Sequence, residues 1–452
     1  MAQASPIDPQ ADPLINTLPP EILSKIFLPL RQIRRYQRII PFQVSLTHVC
    51  RHWRQVAIST PQLWSSITLF SSKSFPCVSE WLTRSGSVPL DVRLDLFAAD
   101  FRGEVTVPWL EDNLARIVSN IYRFRHLFLF THKELNAYHI LQLFQLAEAP
   151  LLERLRIHIG RHVHQRNLVP FVVDGTHFTL PTTLNGGLPR LTFLEIQPLR
   201  CIPPLTSVTT LHLSPVGSQA FLPFHRLAEI LQMPRNLVTL SLRGNIAEDG
   251  WPVQRDKSHI TLPELRNLEL VSHGASGILF ILFFGVPKLE SLRWHVSSDN
   301  YNQLLESPQF PAGRGKFPNL KYLTLVAQPL ATYHLSKLVA IFPTPTHILC
   351  THALASRRTF QHLEPLLESP RLEVLALHRI FDRQNQTFAQ DLRSAVSRNS
   401  NIKKVLADAD FIAYVDSFDP GLRDEVELAE VNTHTFPDYW WISRSLDTPD
   451  SL

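Results

Sequence analysis

Two clusters in the 452-residue sequence have the side chains and tight spacing of metal ligands, His162-Val163-His164 and His347-x-x-Cys350-x-His352. Imidazole nitrogen and thiolate sulfur both bind zinc, but a structural zinc site needs four donors, normally supplied as two paired sets. Neither cluster has its second pair. Arg161 and Arg166 flank the first, which reads as a solvated basic loop. Phosphate chemistry fares no better, because Gly313-Arg314-Gly315-Lys316 runs into Phe317 and lacks the upstream glycine of a phosphate-binding loop. No G-x-S-x-G or H-E-x-x-H run occurs. The expectation is a chain with no active site of its own, no metal and no cofactor.

Composition points the same way. Only 15 glycines against 35 prolines disfavour glycine-loop nucleotide folds, while 44% hydrophobic and 19% charged residues suit a folded protein with a sizeable core. Cys50, Cys77, Cys201 and Cys350 lie far apart with no C-x-x-C pair, so a reducing compartment, cytoplasmic and/or nuclear, is expected. The polar, proline-spaced start from Met1 to Pro13 lacks a signal's apolar stretch. The longest apolar run, Gly277 to Val286, is too short for a membrane span of about 20 residues and reads as a buried helix.

The net charge of +4 conceals two poles: Asp408 to Leu452 carries 11 acidic and 2 basic residues, and the remainder is correspondingly basic. Lys25, Arg31, Arg34, Arg35, Arg38, Arg51 and Arg54 occupy one stretch with no acidic residue, which calls for an acidic partner. Nucleic acid is the weaker choice of partner, since this stretch offers neither a recognition helix nor stacking aromatics.

These basic residues surround helical patterns. Leu18-Pro19-Pro20-Glu21 is a helix start, with proline in the first turn and an acid at the positive end of the dipole. Ile22, Leu23, Ile26, Phe27 and Leu30 follow on one face, and Pro29 is predicted to end the helix near Phe27 or Leu28. A second helix is predicted from an N-cap at Ser45, with Leu46, Val49, Cys50, Trp53, Val56 and Ala57 as its apolar face. Pro61, Leu63 and Trp64 form a third, short turn. The motifs L-P-P-E-I-L-x-x-I-F at 18–27, V-C-R-H-W-R-x-x-A at 49–57 and P-x-L-W at 61–64 together resemble an F-box, in a layout similar to the expanded F-box families of mushroom-forming fungi. The basic stretch from Arg31 to Val44 is longer than that family's usual link. The resemblance implies docking on the Skp adaptor, and through it on a cullin-RING ubiquitin ligase. Transferred position by position, it names Leu18, Pro19, Pro20, Ile22, Leu23, Ile26, Phe27, Val49, Cys50 and Trp53 as the adaptor-binding residues.

Beyond residue 120 the pattern L-x-x-L-x-L, with other large apolar residues allowed, begins at Phe124, Leu152, Leu191, Val208, Leu237, Leu265, Leu289, Leu320, Leu372 and, more weakly, Ile402. One copy near residue 347 is too degraded to align. The mean period of about 28 residues is that of leucine-rich repeats. Helical patterns intervene at 110–121, 140–144, 227–231 and 335–342, and Leu90 to Leu96 supplies a strand ahead of the first copy. Strand and helix units of this kind bury their leucines only by stacking, so the predicted fold is α/β: a three-helix F-box, then an irregular leucine-rich-repeat-like solenoid with a parallel sheet. The regular repeat's asparagine appears only as Asn245, and the long gap containing Gly160 to Gly187 reads as a loop insertion.

The expected layout is a disordered start at 1–13, F-box at 14–68, linker at 69–87, solenoid at 88–407 and an acidic aromatic tail at 408–452. The tail either caps the array or binds a partner, because Phe436, Tyr439, Trp440, Trp441 and Ile442 crowd large apolar side chains together. Residues between the inward leucines are predicted to line a concave, solvated face. Arg156, His158, Phe193, His212, Arg243, Arg293, His295 and Tyr322 are its candidate substrate contacts. On that face Glu269 and Arg293 are predicted to lie in solvent. The functional expectation is a non-catalytic substrate-recognition subunit of a Skp-cullin-F-box ligase. The alternative is a protein-interaction scaffold with no ubiquitination role.

Overall fold

The computed structural model describes residues 14–30, 41–69, 75–96, 107–131, 133–159, 182–197, 201–214, 223–244, 260–271, 276–296, 317–327, 345–351, 367, 369–378 and 388–431. They fall into two compact units, one ending at residue 159 with 182–191 added, the other running from 192.

The first unit opens with a 3-10 turn at Leu14–Thr17 and helices α1 (Pro20–Leu30), α2 (Phe42–Leu46) and α3 (Arg51–Ile58), then a 3-10 turn at Pro61–Trp64. Two expectations need correction. Pro29 does not end α1 but sits within its last turn, where little helix remains to be disrupted. The helix expected from Ser45 is two helices, because Cys50 is extended (φ −153°) and its Sγ accepts from the Trp53 backbone N–H, making it the N-cap of α3.

Strands β1 (Ser66–Leu69), β2 (Leu90–Asp95), β3 (Phe124–Thr131) and β4 (Arg154–Ile159) follow, with helices α4 (Phe75–Arg84), α5 (Val107–Val118) and α6 (Glu134–Leu143) between them. The strands pair in parallel in chain order, aligning Ile67, Val92, Leu127 and Leu155 in one buried row and Leu69, Leu94, Leu129 and Ile157 in the next. The sheet therefore begins at Ser66, inside the span expected to be helical module alone. Trp64 joins the two parts: it is fully buried, its indole N–H donates to the Ala57 carbonyl at 2.8 Å, and the Arg84 guanidinium lies 4.4 Å above its ring. Arg123, only 5% exposed, fastens the turn before β2 by donating to Ser85 Oγ and the Val88 carbonyl, both at 2.9 Å.

The second unit carries β5 (Phe193–Gln197), β6 (Thr210–Leu213), β7 (Thr239–Arg243), β8 (Ile260–Thr261), β9 (Asn267–Val271), β10 (Phe284–Gly285) and β11 (Ser291–Val296). It continues with β12 (Tyr322–Ala327), β13 (His347–Thr351), β14 (Val374–His378), β15 (Lys404–Ala407) and β16 (Glu427–Glu430). Its helices are α7 (Phe224–Gln232), α8 (Ser276–Phe283), α9 (Phe388–Arg398), α10 (Ala409–Phe418) and α11 (Leu422–Glu425). Short β8 and β10 pair with each other; the other ten strands form parallel neighbours in chain order.

Their register stacks Leu194, Leu211, Leu240, Leu268, Leu292, Leu323, Ile348, Leu375, Val405 and Leu428 in a single row. All are fully buried except Leu428, at 9% exposure. Each such burial contributes about 1.5 to 3 kcal/mol, which is why a repeat unable to close its own core is stable in a stack. The degraded copy near residue 347 is a full member, and the array does not stop at residue 407 but gains β16. The apolar run from Gly277 is helical only as far as Phe283, after which Phe284 and Gly285 become strand. The predicted helix at 335–342, Asn245, His162, His164, Gly313 to Lys316 and most of the insertion lie outside the described residues. Among the described residues no helix is long and apolar enough to cross a membrane.

Candidate functional site

Alternation along each strand puts one residue, between the two inward leucines, on the opposite face of the sheet. From β5 onward this row reads Glu195, His212, Ser241, Glu269, Arg293, Thr324, Leu349, Ala376, Leu406 and Ala429. The expectation of a solvated face is overturned here. Glu269 and Ser241 are fully buried, Thr324 is 2% exposed, and Glu195 and His212 fall below 10%.

Glu269 is the centre of a charged cluster spanning β7, β9 and β11. Its carboxylate accepts from Ser241 Oγ at 2.5 Å and forms ion pairs with Arg243 and Arg293, each at 3.4 Å. Arg293 Nε in turn donates to His295 Nε2 at 3.4 Å. Ion pairing explains how three charges can share a largely dry place. Three of the candidate substrate contacts, Arg243, Arg293 and His295, are thus brought together by a residue not included among them. The sequence carried no signal for this, since the partners lie 26 and 24 positions from Glu269.

The other candidates form separate groups. Phe193 is buried with its ring 5.2 Å from that of His212, and Tyr322 stands 4.8 Å from His347. Arg156 and His158 belong to β4 in the first unit, where Arg156 is 8% exposed and His158 meets the Phe130 ring at 4.8 Å. His347 and Cys350 occupy opposite faces of β13, and burial pushes the Cys350 thiol up to about 12. Among the described residues no three His, Cys, Asp or Glu side chains converge as a metal site.

The first unit has a charged cluster of its own. Asp91 receives Arg125 through Nη2 at 2.7 Å and stands 3.0 Å from His126 Nδ1. Burial alone would raise this carboxyl, but hydrogen bonds from His126 and Arg125, with their charges, outweigh it and hold it below its ordinary 3.8. A depressed carboxyl stabilises the fold above the unfolded value near 3.9, and the contribution is lost as pH falls through the folded value. Asp91→Asn is therefore expected to melt lower than the parent at pH 7, the gap closing below about pH 4. A gap of constant size in melts from pH 7 to pH 3 would contradict this.

The helical end presents a different surface. Leu23 and Phe27 of α1 are fully buried, Phe27 packing 4.9 Å from the Trp53 ring, while Ile22 (41%) and Ile26 (38%) point outward. Pro19 and Pro20 are exposed beside them, and Val49, in the turn between α2 and α3, is 56% exposed. Two bonds fix the chain from Asn16 to Leu18 against the start of α3: His52 Nε2 lies 3.1 Å from the Leu18 carbonyl, and Cys50 Sγ lies 3.9 Å from Asn16 Oδ1. The Trp53 indole N–H is buried with no hydrogen-bond partner among the described residues.

Residues 15–69 match the F-box-like family model. A search of curated proteins finds no match to the chain. Within the F-box-like segment the ten residues named for adaptor binding divide by position. Leu23 and Phe27 are core, Cys50 is a helix cap and Trp53 packs on Phe27. Leu18 is half-buried, and Pro19, Pro20, Ile22, Ile26 and Val49 are outward. Ile15 (41%) and Ile58 (38%) add exposed apolar surface that sequence reasoning passed over, Ile15 because it precedes the helix start. The exposed face is apolar and small, and suits a protein surface rather than a reacting group.

Proposed function

We propose that this chain is a non-catalytic substrate receptor of a Skp-cullin-F-box ubiquitin ligase. The observation that carries the reading is the F-box-like match at 15–69 together with Pro19, Pro20, Ile22, Ile26 and Val49, whose apolar side chains stand outward. These five are the adaptor contacts in this reading; Leu23, Phe27 and Cys50 hold them in place. The stacked strands are leucine-rich-repeat-like, as in the F-box families of mushroom-forming fungi, and the face opposite their inward leucines, with Arg243, Arg293, His295 and Tyr322, meets the substrate. Ubiquitin transfer belongs to other subunits, and this chain holds the substrate near them.

Copurification of a Skp adaptor with Ile22→Ala, Ile26→Ala, Val49→Ala protein tests the docking. Losing a central anchor costs 2 kcal/mol or more, about 30-fold in affinity, so adaptor capture is expected to vanish. The melting temperature is expected to stay put, because all three side chains are exposed. Undiminished capture would defeat the assignment. Capture by the parent chain without adaptor-dependent turnover of any bound protein would favour the scaffold reading.

A further inference from the structure

The face opposite the inward leucines changes character at β13. Between β5 and β12 its central row is polar, but Leu349, Ala376 and Leu406 then follow, at 1%, 0% and 5% exposure. These three form an apolar cluster separate from the inward row, since Ile348, Cys350, Leu375, Leu377 and Val405 point to the other face. Tyr322, Val374, Ala429 and Val431 pack around it.

We propose that this patch is the docking site for the chain's own residues 436–442, Phe-Pro-Asp-Tyr-Trp-Trp-Ile. Three observations favour that occupant. The chain itself arrives there: Val431 still donates its N–H to the Ala407 carbonyl at 2.8 Å, and its side chain already packs on the cluster. The reach is sufficient, because the five residues from Val431 to Phe436 extend up to about 17 Å and three strand spacings, from β16 to β13, are about 14 Å. The match is chemical as well: five large apolar side chains in seven positions need cover, and the patch is apolar where the rest of the row is not. Charge has little part in it, as Lys404 and His378 at the rim already pair with Glu427 and Asp408. The site proposed for the tail is thus the sheet face rather than the end of the array.

Hydrogen exchange on the intact chain, compared with the isolated peptide 432–452, tests this directly. Amides of 436–442 are expected to exchange at least tenfold more slowly in the chain, independently of protein concentration. Full-rate exchange would overturn the proposal, and protection that disappears on dilution would assign the patch to a second copy. A chain ending at Val431 is expected to bind a hydrophobic dye and to bind the 432–452 peptide added in trans. The same peptide with Trp440→Ala and Trp441→Ala is expected to bind at least tenfold more weakly, a comparison in which the protein is unchanged. Equal binding of the two peptides would also overturn the proposal. Adaptor capture depends on the F-box-like helices and is expected to survive the truncation, so this inference and the receptor reading can fail separately.

Discussion

Glu269→Ala is expected to destabilise the second unit by about 3 to 5 kcal/mol, the usual cost of removing one partner from a buried ion pair. The carboxylate is fully buried, and its loss removes the counter-charge shared by the Arg243 and Arg293 guanidinium groups, whose side chains are only 24% and 14% exposed. Ser241 Oγ loses its acceptor at the same time. In a unit of this size 1 kcal/mol corresponds to roughly 2 to 4 °C, so a melting curve is expected to move down by about 10 °C. Glu269→Gln, which keeps an acceptor for Ser241, is expected to cost less. Replacing Glu269, Arg243 and Arg293 together by leucine is expected to recover most of the loss, because no charge then remains to be desolvated. A Glu269→Ala melt within 2 °C of the parent would mean that the cluster is solvated.

Leu292→Ala is expected to cost about 2 to 5 kcal/mol, through lost transfer energy and the cavity left behind. Leu292 is fully buried and stacked between Leu268 and Leu323, so neighbouring repeats on both sides lose contacts, and Leu268→Ala is expected to behave alike. The proper control is Lys288→Ala: this side chain is 50% exposed in its pair with Glu264, and its loss is expected to stay within about 0.5 kcal/mol. Equal shifts for Leu292 and Lys288 in a thermal melt would contradict the register. Glu269 and Arg293 cannot serve as the neutral controls that alternation alone suggests.

That failure shows where the sequence stops being legible. Leucine spacing located the strands because each inward row is filled by similar residues at every step. The copy at β13 escaped because Pro345 and Cys350 stand where leucines are usual, and β16 because only Leu428 keeps the pattern between Glu425 and Glu430. At the other end, Trp64-x-x-Ile67-x-Leu69 fits the repeat as well as the helical module, and Trp64 serves both. In the F-box-like segment the motifs located α1 and α3, but not the break between α2 and α3 nor which side chains point outward. Cys50 reads as one more apolar position at helical spacing, and only its extended backbone reveals a cap. The cluster around Glu269 depends on strands brought together by the fold, so no local pattern could announce it.

Among the described residues, the ten stacked strands of the second unit bond to one another in the order in which the chain reaches them, with short β8 and β10 set aside as their own pair. No repeat therefore waits for a distant part of the chain before it can add to the stack. During synthesis at about 5 to 20 residues per second, one repeat of about 28 residues leaves the ribosome every few seconds, far longer than loop closure or helix formation takes. The array can assemble in the order it is translated. Its cost is a growing edge, since the newest strand is always open to pairing with another nascent chain until the next one arrives. Among the described residues β16 is the last strand of the sheet, so it is there that the growing edge comes to rest.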